Sequence, residues 1–137
     1  MQFNSIAPRI CVRKNYGACL EFYEKLGLVP NWANSAGDRN GPYTSLAAEE
    51  GGPEVLALFA AVYMPEYKGY TPPGGNVPTD TIELSFPSDD VDADYKRLKE
   101  LGIEFISEPQ TMAEWGMRCV WLRDPEGNLL EIAGEIK

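Results

Sequence analysis

The fold is decided by residues Trp115–Lys137, which read WGMRCVWLRDPEGNLLEIAGEIK. Here the turn Asp124–Asn128 separates two runs rich in aromatic and apolar strand formers. Its proline fixes the φ angle of the first turn position, and Gly127 accepts a positive φ angle without steric cost. Two apolar runs joined by such a turn predict a β-hairpin. Glu131 lies in the middle of the second strand, so the environment of this carboxylate decides much of the function.

The composition is that of an ordinary globular protein. The chain has 137 residues, of which 44% are hydrophobic and 24% charged, enough for one domain with its own core. No apolar run is long enough to cross a bilayer, and the first residues do not read as a secretory signal. We therefore expect a cytoplasmic protein with no membrane partner.

Charge and cysteine content argue against several classes of function. The net charge is −9, from 21 acidic and 12 basic residues, which disfavours nucleic acid as a partner. It is compatible with a cationic or neutral ligand, but solubility is the simpler explanation of the net charge. Cys11, Cys19 and Cys119 are odd in number and widely spaced, so they indicate neither a disulfide framework nor a zinc site. We expect Cys11 and Cys119 to be small buried side chains.

The absence of histidine is the most informative feature of the composition. The chain contains none, so a Ser-His-Asp triad, a Cys-His pair or an imidazole proton shuttle cannot form. Zinc, iron, copper and nickel sites usually rely on imidazole or thiolate ligands. Most transition-metal chemistry is therefore not expected.

The first half of the chain predicts one strand, one helix and three further strands. The helix has Asn15 as its N-cap and ends at Gly27. Its apolar face consists of Ala18, Cys19, Phe22, Tyr23 and Leu26. The predicted strands are Ser5–Val12, Leu28–Ala33, Tyr43–Ala48 and Glu54–Ala60, with a turn at 36–41.

Residues 61–79 form an unusual connector. Its prolines and glycines exclude a long regular element, while Tyr63, Tyr67 and Tyr70 supply more apolar surface than a plain linker carries. Long loops of this kind inside compact domains are often functional flaps. A flap over a binding site and a connector packed on the body or on a partner subunit both fit this composition.

The second half repeats the order of the first. A strand over 81–86 precedes a helix that Asp89 or Asp90 caps and Gly102 ends. The apolar positions of this helix are Val91, Tyr95, Leu98 and Leu101. Ile103–Ile106 follows as a short strand, and the hairpin supplies two more. Aligned at the helix ends, Glu24–Leu28 lies over Lys99–Ile103.

Two βαβββ modules, 1–60 and 80–137, therefore flank the connector in a single domain. They predict an α+β fold with paired curved mixed sheets around a concave cleft and the helices outside. Strand alternation turns Leu residues toward the helices and leaves Ala57 and Glu131 on the concave face.

Three motifs carry a family resemblance. They are Phe22–Leu28, the helix Asp92–Gly102 with its Leu-Gly ending, and residues 115–118 leading into Asp124–Glu131. In this order and spacing the chain resembles the vicinal oxygen chelate superfamily, which includes glyoxalase I, extradiol dioxygenases and bleomycin-resistance proteins. The resemblance covers nearly the whole chain and implies the fold of two modules.

The resemblance also implies four metal-ligand positions, one in each of four strands and normally His or Gln, Glu, His and Glu. Carried over residue by residue, they fall near Ala7 and on Ala57, Thr81 and Glu131. Only Glu131 matches, because a methyl group has no lone pair and a threonine hydroxyl is a poor ligand beside a carboxylate. A one-residue slip that brought in Glu54 or Glu83 would turn the side chain to the wrong face. We therefore expect no metal site and no cofactor.

Without the other three ligands, the chain resembles the metal-free, ligand-binding branch of the superfamily, represented by the bleomycin-resistance proteins. Those proteins look like dimers that sequester a planar cationic drug. Such a site needs aromatic faces for stacking and carboxylates for positive charge. The expected ligand-binding residues are Arg9, Trp32, Tyr43, Ala57, Thr81, Glu83, Trp115, Trp121 and Glu131.

Other interpretations of these side chains stay open. Trp115 and Trp121 also suit the core between sheet and helix, which is the commoner place for a buried tryptophan. Glu131 is equally suited to an ion pair with Arg9 or Arg118, which would leave no place for a ligand.

Sequestration of a small organic molecule by a homodimer is the leading functional hypothesis. The alternative is a lyase, isomerase or dioxygenase of the same superfamily, in which Glu131 is the catalytic residue as a metal ligand or general base. A third hypothesis is an accessory domain whose role is protein association.

Overall fold

The computed structural model describes residues 7–62, 82–113 and 116–137, and the chain divides into two compact units, Met1–Gly75 and Asn76–Lys137. The first unit consists of β1 (Arg9–Val12), α1 (Tyr16–Lys25), β2 (Val29–Asp38), β3 (Gly41–Ala47) and β4 (Glu54–Ala60). The second consists of β5 (Glu83–Pro87), α2 (Val91–Glu100), β6 (Gln110–Met112), β7 (Met117–Arg123) and β8 (Leu129–Glu135). Over the described residues, each unit thus has the order βαβββ.

The two sheets have the same topology. Their strand orders are β1-β4-β3-β2 and β5-β8-β7-β6, so each sheet is mixed and open. The first and last strands of each unit pair in parallel, and the other neighbours are antiparallel. The predicted α+β fold with two repeated modules is confirmed. Within the described residues no helix is both long and apolar enough to span a membrane.

Helix α1 packs on one face of the first sheet. Cys19, Leu20 and Tyr23 are fully buried, and the Tyr16 hydroxyl reaches the sheet, 2.7 Å from the Thr44 hydroxyl and donating to the Leu58 carbonyl at 3.0 Å. Ala18, predicted in the apolar face, is exposed, while Tyr16 and Leu20 are core residues that the prediction missed. Asn15 is the N-cap residue, as predicted, and its carbonyl accepts a hydrogen bond from the Cys19 amide at 3.0 Å. It has a left-handed conformation, however, and its side chain makes no capping bond.

Helix α2 begins with a side-chain cap. The Asp90 carboxylate accepts a hydrogen bond from the Ala93 amide at 3.0 Å, and Gly102 follows the helix with a φ angle of 89°. Val91 and Leu98 are buried against the sheet, as predicted. Leu101, which was also predicted in this apolar face, is 45% exposed, so that part of the prediction is wrong.

The turn between β7 and β8 is held by a buried carboxylate. Asp124 is only 5% exposed, and its side chain accepts hydrogen bonds from the Glu126 and Asn128 amides and from Asn128 Nδ2, each at 2.9 Å. Gly127 has a φ angle of 89°. The predicted hairpin is confirmed, and its register runs without a break from Met117 to Arg123.

Several predicted boundaries change. Ile103–Ile106 is not a strand, since only Phe105 forms a bridge, to Leu122, and the outer strand of this sheet is Gln110–Met112. β2 continues through the first half of the predicted turn, as far as Asp38, and β1 begins only at Arg9. The connector prediction falls mostly on residues 63–81, which lie outside the described residues.

The Asp124 turn yields a stability prediction. Asp124→Ala leaves three donors without their acceptor, so we expect it to lower the free energy of unfolding by about 2–3 kcal/mol. Urea denaturation followed by circular dichroism measures the change. Asp38→Ala is the control, because that exposed carboxylate accepts one bond in the β2–β3 turn, and we expect a loss of about 0.5–1 kcal/mol. Equal losses in both variants would contradict the special role of Asp124.

Candidate functional site

The candidate site lies on the face of the second sheet opposite α2. In β8, Leu130 and Ile132 are buried, while Glu131 between them has intermediate exposure. Residues paired directly across neighbouring strands project to the same face. Ser85, Glu131 and Trp121 are paired in this way across β5, β8 and β7, and we call them the Glu131 row. The expectation that Glu131 and Leu130 face opposite ways is therefore met within this unit.

The Glu131 carboxylate is held by a neutral donor. The Ser85 hydroxyl donates a hydrogen bond to Glu131 Oε1 at 3.0 Å. Arg118 pairs instead with Asp92 of α2, through Nε at 3.1 Å and Nη2 at 2.9 Å. The interpretation in which Arg118 forms an ion pair with Glu131 is thus wrong. Arg118 is engaged by Asp92 and does not compensate the charge of the Glu131 carboxylate.

A second carboxyl group lies beside the first. Glu83 is one alternation step from Ser85 on the same strand and face. Partial desolvation raises the pKa of Glu83, and the charge of Glu131 and a side-chain hydrogen bond with it raise this pKa further. The Glu83 carboxyl group therefore keeps its proton more readily than an isolated glutamic acid does.

Cys119 is buried next to this pair. Its exposure is 1%, and burial followed by the charges of Glu131 and Glu83 raises the pKa of its thiol. It is thus a small buried side chain, as expected, and poorly suited to nucleophilic attack. Cys11, by contrast, is exposed, which corrects the expectation that it is buried.

Trp121 does not fill the core between the sheet and α2. It is paired with Glu131 and has intermediate exposure, whereas its neighbours Val120 and Leu122 are fully buried on the other face. The indole therefore shares a face with the Glu131 carboxylate.

In the first unit, a β-bulge changes which side chains face away from α1. Leu46 pairs with Leu56 but Ala47 pairs with Glu54, so Val55 is the extra residue. Glu54 consequently shares the face of Ala47. The sequence argument that Glu54 or Glu83 would be turned to the wrong face is wrong for both residues. The bulge supplies the slip for Glu54, and Glu83 shares the face of Ser85 and Glu131 without any slip.

In the first sheet, Ala57 occupies the position equivalent to Glu131, and the Tyr43 side chain lies over it. Its hydroxyl donates to Glu54 Oε1 at 2.7 Å, and the row of Ser45, Ala57 and Arg9 lies between these two residues. The ring therefore crosses Ala57, which is 0% exposed. The Arg9 guanidinium lies 5.2 Å from the ring centroid. Desolvation, then the Glu54 contact, raises the pKa of Tyr43.

Trp32 occupies a different part of the first unit. The β2–β3 pairing breaks between Asn31 and Ala36, and Trp32 stands in this break, 44% exposed. It lines a pocket of about 320 Å³ together with Glu49 and Glu50, and Arg9, Tyr43 and Ala57 are not among the residues of that pocket. Trp115 and Thr81, also expected at the site, lie outside the described residues.

The donor set does not fit a divalent metal ion. Ala57 offers no lone pair and is covered, and Ala7 is an exposed alanine. Over residues 7–62, 82–113 and 116–137, no group of three or more Cys, Asp and Glu side chains is arranged to hold a metal. We therefore derive no chemical step through a metal.

Sequence reasoning missed two participants. Ser85 lies in the predicted strand over 81–86 but is not among the expected site residues, although its alignment with Glu131 follows from the parallel pairing of β5 with β8. Glu54 was dismissed, and the Gly-Gly-Pro preceding it was the one local signal for irregular pairing.

Comparison with known proteins places these features in a family context. The model of the Glyoxalase/Bleomycin resistance protein/Dioxygenase superfamily matches residues 3–132 of the chain. The uncharacterized protein YraH of Bacillus subtilis (strain 168) is 41% identical over 49 residues, which are 36% of this chain and 38% of that protein. The chain thus matches little more than a third of the length of this curated relative.

Solved structures resemble the chain over almost its full length. A glyoxalase/bleomycin resistance protein/dioxygenase from Nocardioides is 24% identical with a TM-score of 0.71, covering 98% of this chain and 86% of that one. A superfamily member from Sphaerobacter thermophilus DSM 20745 is 25% identical with a TM-score of 0.67, covering 98% and 100%. A protein of unknown function from Agrobacterium tumefaciens str. C58 is 20% identical with a TM-score of 0.69, covering 98% and 95%.

The pair of acids predicts a pH-dependent effect on stability. Because the pKa of Glu83 is raised in the folded chain, its contribution to stability is present below its unfolded-state pKa and is lost as pH rises through its folded-state pKa. Glu83→Gln should therefore raise the free energy of unfolding at neutral pH, and the gain should vanish below about pH 4. Urea denaturation at both pH values measures this. Glu104→Gln, at an exposed loop position, should show no such pH-dependent gain; a gain equal to that of Glu83→Gln would contradict the coupling.

Proposed function

Because the chain belongs to the glyoxalase/bleomycin resistance protein/dioxygenase superfamily, we propose that it binds and sequesters a small, planar organic cation without a metal ion. The observation that carries the proposal is the direct pairing of Trp121 with Glu131 across β7 and β8, on the face opposite α2. An indole beside a carboxylate offers a stacking surface and a countercharge to the same ligand.

The surroundings of this pair favour a cation over an anion. Glu83 adds a second carboxyl group, and Ser85 holds Glu131 without neutralising it. The net charge of −9 attracts cations to the protein from a distance. A cation that reaches the site gains contacts to two carboxyl groups.

The remaining expected contacts stay predictions of this proposal. Arg9 and Tyr43 are already engaged with each other and with Glu54, so a ligand that used them would have to displace this arrangement. A concave cleft between modules, a homodimer and a cytoplasmic location also stay predictions. The open edges of both four-stranded sheets support association of copies.

An acid–base enzyme is the second candidate. Two neighbouring carboxyl groups, with the pKa of Glu83 raised above its ordinary value by desolvation and then by the charge of Glu131, suit acid–base chemistry. In this candidate Glu131 accepts a proton from the substrate in a lyase or isomerase reaction. The version in which Glu131 binds a metal, as in a dioxygenase, has no support from the donor set.

Calorimetric titration with N-methylquinolinium tests the first proposal. The neutral 1-methyl-2-quinolone, which has nearly the same shape, should bind at least tenfold more weakly. Glu131→Gln should weaken quinolinium binding about tenfold, or ~1.4 kcal/mol, and Trp121→Leu about fivefold, in keeping with the loss of one cation–π contact.

The control removes the same charge elsewhere. Glu100→Gln, at the exposed end of α2, should leave the affinity unchanged. Equal binding of the charged and neutral compounds, or equal losses in Glu131→Gln and Glu100→Gln, would overturn the proposal. Continuous heat production after each injection, at a rate proportional to the protein concentration, would indicate turnover and favour the enzyme candidate instead.

A further inference from the structure

A second feature of the same sheet face is a pocket that the proposed contacts leave unused. It has a volume of about 750 Å³ and its lining includes Pro87, Asp89, Met117, Ala133, Glu135 and Lys137. All of these residues belong to the second unit.

The pocket continues the face that carries the Glu131 row. Every second residue of β8 faces the same side of the sheet, so residues 131, 133 and 135 share one face. Ala133 pairs with Cys119 and Glu135 pairs with Met117, and no bulge interrupts this register. Pro87 of β5 pairs with Ala133 on its other side. At roughly 3.3 Å per residue, Glu135 lies about 13 Å along the strand from Glu131.

Two parts of the pocket lining differ in chemistry. Pro87, Ala133 and Met117 contribute apolar surface to the lining. The exposed residues Asp89 and Glu135 contribute carboxylates, and we call this part of the lining, four residues along the strands from Ser85 and Glu131, the rim. In the part of the chain that the structure describes, neither carboxylate belongs to an ion pair. Lys137 is the basic residue at this rim.

The position of this rim is fixed by the backbone. The Ser88 amide donates to the Ala133 carbonyl at 2.8 Å, and a Cβ atom on Gly134 would lie 2.1 Å from the Ser88 carbonyl oxygen. Only glycine permits this approach, so Asp89, next to Ser88, is held close to β8.

We propose that the ligand of the Glu131 row is an elongated organic dication. Its first cationic group lies between Trp121 and Glu131, its apolar spacer crosses Ala133 and Pro87, and its second cationic group lies at Asp89 and Glu135. The inference rests on the proposed function, and it adds the ligand's length and second charge.

Three quaternary ammonium compounds test the length and the charge separately by calorimetric titration. Decamethonium has two charges and an extended spacer that matches the separation of the two acidic positions. Hexamethonium has the same charges on a shorter spacer, and decyltrimethylammonium has the long chain with one charge. Decamethonium should bind about tenfold more tightly than either of the others.

Variants at the rim locate the second charge. Glu135→Gln and Asp89→Asn should each weaken decamethonium binding about fivefold and leave decyltrimethylammonium unchanged. Lys137→Gln should strengthen decamethonium binding, because it removes the competing positive charge. Glu100→Gln serves as the control for net charge, and circular dichroism checks that each variant is folded.

The two proposals fail in different ways. If the three compounds bind equally and Glu131→Gln weakens all of them, the extended ligand is wrong while a cation site at Glu131 stands. If none binds in a manner that depends on Glu131, the extended ligand is wrong. The quinolinium titration then decides the first proposal by itself, and both fall only if quinolinium binding is also independent of Glu131.

Discussion

Strand β8 is hydrogen-bonded to β5 on one side and to β7 on the other, and this register determines every feature of the candidate site. It turns Leu130 and Ile132 toward α2 and Glu131 toward the opposite face. A slip of one residue would place the carboxylate in the core and expose two aliphatic side chains, at a cost of several kcal/mol. Asp124 fixes the register at the turn, where three donors converge on its buried carboxylate.

The two units share a topology but not the chemistry of their helix-free faces. In the first sheet the Tyr43 ring crosses Ala57 between Arg9 and Glu54, so the cation and the acid are supplied from within the chain. In the second sheet, the partners of Glu131 among the described residues are the Ser85 hydroxyl and the acidic neighbour Glu83. The repeated fold therefore carries a face with internally matched charges in one unit and a face with excess negative charge in the other, which is why we place the ligand on the second.

Local rules were sufficient for the parts of the chain whose partners are close in sequence. The hairpin around Asp124, the helix caps at Asp90 and Gly102, and the orientation of Glu131 all follow from turn chemistry and alternation. The strand Gln110–Met112 could not be found in this way, because three residues carry little periodicity and their pairing with β7 depends on tertiary structure. Glu54 was misjudged for a related reason, since alternation cannot anticipate a bulge. Ser85 reaches Glu131 across a parallel pairing that spans the whole unit.

The most direct test is a crystal structure of the chain with N-methylquinolinium bound. The account predicts the quinolinium ring against the Trp121 indole, its charged nitrogen next to Glu131, and no ion coordinated by that carboxylate. A metal ion held by Glu131 together with other protein donors, or a quinolinium bound only away from Trp121 and Glu131, would contradict it.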